Sequence, residues 1–76
     1  VAFLLESPAH AELNVWSSDG RLVASLLDRF CEPGMQTVDW NPTVAVAAGV
    51  YSVRLSLRRE GEAIWHHTVR RWVVVR

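Results

Sequence analysis

Apolar and polar residues alternate one by one along several short stretches of this chain, which is the pattern of half-buried β-strands. Ala11, Leu13 and Val15 alternate with Glu12 and Asn14, and residues 51–58 alternate in the same way between apolar side chains and Ser or Arg. No long stretch repeats its apolar residues with the helical period of 3.6. The pattern therefore predicts an all-β protein, because no segment can supply a crossover helix.

Turn residues divide this pattern into strands. Asp19-Gly20 is a hairpin signal, and Glu60-Gly61 predicts a second turn. The Pro residues of Ser7-Pro8 and Asn41-Pro42 end strands, because proline cannot donate to a ladder. The expected strands cover residues 1–6, 11–16, 21–27, 36–40, 49 up to the Glu60-Gly61 turn, and 62–75, with a loop over 28–34.

Turn signals at this spacing, across six to seven strands, are typical of an antiparallel β-sandwich, with a small barrel as the alternative. We expect residues 1–76 to form a single domain. Tyr51 follows the Gly49-Val50 entry to its strand, where a tyrosine hydroxyl can bond back to nearby backbone. The predicted core consists of Leu13, Val15, Leu26, Val38, Trp40, Tyr51, Val53, Leu55 and Val73.

Composition and charge narrow the possible functions. Eight basic residues balance eight acidic ones, so the net charge is zero, whereas a nucleic-acid-binding domain is normally strongly basic. The longest apolar run, residues 44–51, is far shorter than the roughly 18 residues that a membrane-spanning helix needs. A single cysteine, Cys31, rules out an internal disulfide and a zinc site built from several cysteines.

The residues with catalytic or metal-binding potential form no recognisable constellation. His66 and His67 are adjacent on a predicted strand, so their side chains point to opposite faces. His10 is remote in sequence, and no carboxylate cluster joins these histidines at ligand spacing. The sequence also lacks a Gly-x-Ser-x-Gly nucleophile elbow. We therefore predict that the protein is not an enzyme and holds neither metal nor cofactor.

Candidate interaction residues are tryptophans and arginines. Trp16 and Trp72 are expected on the face opposite an apolar stripe, where exposed indoles give large contact area to a partner or a carbohydrate. Residues 1–53 carry a net charge of −4, from two Arg and six acids, and residues 54–76 carry +4, from six Arg and two acids. If Gly61 turns the chain, Arg58, Arg59, Arg70 and Arg71 come close together. They could then capture a phosphate or carboxylate on a partner; alternatively, they are solvated charges that protect an edge strand from pairing.

Four segments, taken in order, resemble a known family. Residues 16–23 (WSSDGRLV) join an aromatic through a short turn to an apolar strand, and residues 33–40 (PGMQTVDW) place a strand ending in Trp after a Gly. Residues 48–55 (AGVYSVRL) form a Gly-Val-Tyr strand, and residues 69–76 (VRRWVVVR) a basic-then-apolar closing strand. Together they resemble the immunoglobulin-like domain shared by the flagellar hook-capping protein and the C-terminal sorting domains of type IX secretion.

The resemblance implies a seven-stranded sandwich and a function. It implies a non-catalytic C-terminal sorting and surface-attachment module, part of a longer secreted bacterial protein, exported through the periplasm to the cell surface or beyond. The partner would be the secretion translocon, and the arginines could also bind the phosphates of lipopolysaccharide. Two alternatives stay open: a structural docking subunit or scaffold domain of a larger assembly, as in the hook cap, and a carbohydrate-binding accessory domain.

Overall fold

A computed structural model describes residues 1–39 and 47–75. Its six strands are β1 (Ala2–Leu5), β2 (Ala9–Ser17), β3 (Leu22–Cys31), β4 (Gly34–Thr37), β5 (Gly49–Arg59) and β6 (His66–Val74). β1 and β4 form a two-stranded antiparallel sheet, and the other four form a second antiparallel sheet in the order β3-β2-β5-β6. The two sheets pack together, so the predicted antiparallel β-sandwich is confirmed.

Both hairpin turns fall where glycine was expected. Gly20 and Gly61 adopt φ angles of 86° and 81°, a region that favours residues without a Cβ atom. The amide of Gly20 donates to the carbonyl oxygen of Ser17 at 3.0 Å, which closes the β2–β3 turn. The β5–β6 connection is longer than predicted, because the last strand begins at His66 rather than at residue 62.

β3 also differs from the prediction. The sequence placed residues 28–34 in a loop, but β3 continues to Cys31 and pairs with β2 along its whole length. Two register shifts, at Leu13/Asn14 and Val15/Trp16, each leave an extra residue on β3. These bulges move the pairing by two residues relative to an uninterrupted hairpin, and they place Asp28 directly opposite Glu12.

The core lies between the sheets in two clusters. Leu13, Val15, Tyr51, Val53 and Val74 form the larger one. Leu5, Ala9, Ala11 and Cys31 form the smaller one, beneath β1. We call the side of the four-stranded sheet that faces these clusters the inner face, and the opposite side the outer face.

Most of the predicted core residues lie where expected. Leu13, Val15, Tyr51 and Val53 are buried, and Leu26, Val38 and Leu55 are partly buried against them. Trp40 lies outside the described residues. Val73 was predicted wrongly: it is 56% exposed, and its neighbour Val74 is buried instead. Residues 72–75 are all apolar, so alternation could not define which of them point inward.

Candidate functional site

The outer face carries rows of mostly polar and aromatic side chains, because residues that pair across neighbouring strands point to the same face. One row across the four strands is Leu22, Trp16, Ser52 and Arg71. A second row is Asp28, Glu12, Ser56 and His67. Between them, Ser25, Asn14, Arg54 and Val69 form a third. No strand of the described β1–β4 sheet covers this face.

Two tryptophans on the outer side are each covered by an arginine. The guanidinium carbon of Arg54 lies 5.3 Å from the centroid of the Trp16 ring, and that of Arg58 lies 5.3 Å from Trp65. Both distances are typical of cation–π contacts. Trp16 therefore lies on the expected face, opposite Leu13 and Val15, but it is half-buried and one side of its ring is occupied.

Trp72 does not lie on an outer surface. It is half-buried on the inner face, packs against the larger core cluster and pairs with Tyr51 in the β5–β6 register. Together with Arg70 and Thr68 it lines an open groove between β6 and the first residues of the chain, Val1 to Phe3. The prediction that Trp72 faces away from the apolar stripe is therefore wrong.

The four arginines do not form one cluster. Arg70 and Arg71 lie opposite Val53 and Ser52 on β5, whereas Arg58 and Arg59 lie at the far end of that strand. Six residues separate Arg58 from Ser52, which corresponds to about 20 Å at ~3.4 Å per residue. Within each pair, adjacent side chains also point to opposite faces. The predicted proximity of the four arginines is therefore wrong, because antiparallel pairing brings together residues that are equally far from the turn, and the second pair lies much farther from Gly61 along the chain than the first.

The histidines lie on different faces, as predicted for His66 and His67. The ring of His67 has its Nδ1 atom 2.7 Å from the hydroxyl of Ser56, a buried residue that is 3% exposed. His66 lies opposite Leu57 on the other face, with its Nε2 atom 3.7 Å from a Glu62 carboxylate oxygen.

His10 belongs to a cluster that the sequence prediction missed. Its Nε2 atom lies 2.6 Å from the Oδ1 atom of Asp28. His10, Glu12 and Asp28 each offer one ligand atom, and these three atoms lie within 4.8 Å of one another. The cluster was missed because Asp28 was assigned to a loop. The signal available in the sequence was the His10-x-Glu12 spacing, which places both side chains on one face of a strand.

A comparison with protein-family models, curated proteins and solved structures finds no match to this chain. In the part of the chain that the structure describes, no helix is long and apolar enough to cross a membrane. The sheet architecture establishes the class of protein, which is an antiparallel β-sandwich. Because no relative was found, the immunoglobulin-like family stays a prediction from the sequence.

Proposed function

We propose that this chain is a non-catalytic docking module that a protein partner recognises through β6. In the biological setting that the sequence resemblance implies, it acts as a sorting and surface-attachment module of a secreted bacterial protein. One observation carries the proposal: β6 pairs with β5 on one side and, among the described residues, has no strand on its other side.

An unpaired strand edge offers a row of backbone donors and acceptors to an extended segment of a partner. β6 is nine residues long and contains no proline, so nothing in its backbone prevents the addition of a strand. The main-chain hydrogen bonds would supply affinity, and side chains of alternating residues would supply specificity.

The side chains on the outer face of β6 also fit a protein partner that adds a strand there. Val69 and Val73 are 54% and 56% exposed, and Arg71 lies between them. Val50, the cross-strand neighbour of Val73, is also 47% exposed, so the two valines form a small apolar patch next to a positive charge. A partner strand with apolar residues and a carboxylate on one face would complement this surface.

The burial of a serine that contacts a histidine supports a role without catalysis. Ser56 and His67 are within hydrogen-bond distance, but the serine is 3% exposed, so a substrate cannot reach its hydroxyl. A carbohydrate platform is also less favoured, because Arg54 and Arg58 already occupy one side of the Trp16 and Trp65 rings.

The proposal is tested with residues 1–76 fused behind a periplasmic fluorescent reporter in a bacterium with type IX secretion. We expect the reporter to reach the cell surface. Val73→Lys replaces an apolar side chain on the free edge and adds a second positive charge beside Arg71, so it should strongly reduce surface exposure by removing an apolar contact with the partner strand and adding charge repulsion. The matched control is Val50→Lys, which adds the same charge beside it on β5, a strand that lies between β2 and β6 and not at the free edge.

Each outcome decides between mechanisms. A loss with Val73→Lys but not with Val50→Lys supports recognition through the β6 edge. Equal losses of surface exposure in the two variants would mean that the partner binds the apolar patch and not the strand edge, which overturns strand addition. A reporter that stays in the periplasm with the unaltered domain overturns the sorting role and favours the scaffold alternative. Urea unfolding of both variants establishes that each one is folded.

A further inference from the structure

We infer that His10, Glu12 and Asp28 form a binding site for a divalent transition-metal cation of the zinc type on the outer face. One imidazole nitrogen and two carboxylate oxygens form a mixed donor set, which suits zinc and similar borderline cations better than the hard cations Mg²⁺ and Ca²⁺. This inference does not depend on the proposed docking role of β6, which lies at the other edge of the sheet.

The backbone brings the three side chains together. His10 and Glu12 are two residues apart on β2, so both point to the outer face. Asp28 lies directly opposite Glu12 on β3 as a result of the two bulges. The ligands therefore come from two hydrogen-bonded strands and not from flexible loops, which fixes the relative positions of their Cα atoms before any cation binds.

Electrostatics gives a reason for a cation at this position. Two carboxylates that face each other across neighbouring strands repel and destabilise the pairing. No arginine of the described chain forms an ion pair with either of them. Arg58 lies opposite His10, but its guanidinium lies over the Trp65 ring. A divalent cation bound between the carboxylates would replace this repulsion with attraction.

The distances between the three ligand atoms require a small rearrangement of the side chains before zinc can bind. Bonds of about 2.0–2.2 Å to a tetrahedral zinc ion place neighbouring ligand atoms roughly 3.3 Å apart. The His10 and Asp28 atoms, at 2.6 Å, must separate slightly, and the widest pair, at up to 4.8 Å, must approach. The side chain of Asp28 is 62% exposed and can rotate away from the imidazole. Trp65 packs edge-on against the His10 ring, with centroids 5.8 Å apart, and limits rotation of the imidazole.

Three protein ligands leave a fourth position of a tetrahedral zinc ion for water. The cation would link β2 to β3 near the end of the hairpin that is farthest from its turn. We therefore expect zinc to stabilise the folded chain, since a ligand that binds only the folded state raises its apparent stability.

The test is calorimetric titration of untagged protein with ZnCl₂, with MgCl₂ and CaCl₂ as comparisons. We expect one zinc ion per chain, with Mg²⁺ and Ca²⁺ at least about tenfold weaker. At a free zinc concentration of about ten times Kd, the Tm should rise by roughly 5–10 °C. His10→Gln, Glu12→Gln and Asp28→Asn should each weaken zinc binding by about tenfold or more. His66→Gln and Asp39→Asn, which change the same residue types elsewhere on the surface, should leave it unchanged.

Cobalt substitution separates this site from binding at Cys31. The visible spectrum of the Co²⁺-loaded protein should lack a thiolate charge-transfer band. Absence of zinc binding, affinity that survives Asp28→Asn, equal affinity for Mg²⁺, or a thiolate band would each overturn the assignment. Far-UV circular dichroism of the variants verifies that a lost signal does not come from unfolding.

Discussion

The hydroxyl of Tyr51 donates a hydrogen bond to the carbonyl oxygen of Ala47, four residues earlier in the chain, at 2.5 Å. The ring of Tyr51 belongs to the larger core cluster and is 7% exposed. The Tyr51 side chain therefore both fills the core and holds the segment that precedes β5 in place through a hydrogen bond. The sequence predicted such a bond to nearby backbone, and the structure confirms it.

The two roles of Tyr51 can be separated by substitution. Tyr51→Phe removes only the hydrogen bond and should cost about 0.5–1.5 kcal/mol of unfolding free energy, since Ala47 is exposed and water can replace the lost donor. Tyr51→Ala also removes the ring and should cost about 3–5 kcal/mol. That is comparable to the entire stability of a domain this small. Urea unfolding followed by circular dichroism measures both. A Tyr51→Ala variant that unfolds like the parent would contradict this assignment.

Val73 and Val74 provide a matched test of which face of β6 points inward. Val74 is 7% exposed, and its truncation to Ala should cost about 2 kcal/mol through lost burial and the remaining cavity. Val73→Ala removes the same atoms from an exposed position and should change stability by less than about 0.5 kcal/mol. Thermal or urea unfolding gives both values. If the costs are reversed, the register of β6 is shifted by one residue.

These two valines show where sequence reasoning reaches its limit. Alternation defined the inner faces of β2 and β5, because Leu13 and Val53 are each flanked by polar residues on both sides. In residues 72–75 every side chain is apolar, so the facing depends on pairing with β5. That pairing depends on the number of residues in the β5–β6 connection, because one residue more or fewer would turn the opposite face of β6 inward.

The candidate metal site was missed for a related reason. The polar pair Asp28-Arg29 was taken as the start of a loop, but on an edge strand polar residues can continue a ladder while they face solvent. The bulges then decide which residue lies opposite Glu12. A hairpin without bulges would place Leu26 there, so the chemistry of the site depends on irregularities that no alternation pattern reveals.

The β2–β3 turn contains a carboxylate whose pKa is perturbed. The Ser17 hydroxyl donates a hydrogen bond to the Asp19 carboxylate. This bond lowers the pKa of Asp19 below its ordinary value of 3.8; desolvation opposes the shift, and the charge of Arg21 adds to it. The lowered pKa means that ionised Asp19 favours the folded turn above pH 3.8, and that this contribution is lost as the pH falls through the folded-state pKa.

We therefore expect Ser17→Ala to raise the Asp19 pKa toward 3.8. Arg21→Gln should produce a smaller rise, because the arginine contributes less than the hydrogen bond. Titration of the Asp19 carboxyl carbon by NMR measures the pKa directly. Ser18→Ala alters the adjacent serine of the same turn and should leave the pKa where it is. An Asp19 pKa that does not respond to Ser17→Ala would show that the hydrogen bond is absent in solution.

The alkylation rate of Cys31 measures how often the smaller core cluster opens. Cys31 is 1% exposed and packs with Leu5, Ala9 and Ala11, so a thiol reagent can reach it only when this part of the sandwich opens. We expect alkylation of Cys31 in the folded protein to be at least about 100-fold slower than in urea, and slower by a similar factor than alkylation of the introduced thiol in a Ser18→Cys variant. The exposed turn makes Ser18 a suitable reference. Equal labelling of both thiols without denaturant would mean that β1 does not stay packed over β2, and that the two-stranded sheet forms only transiently.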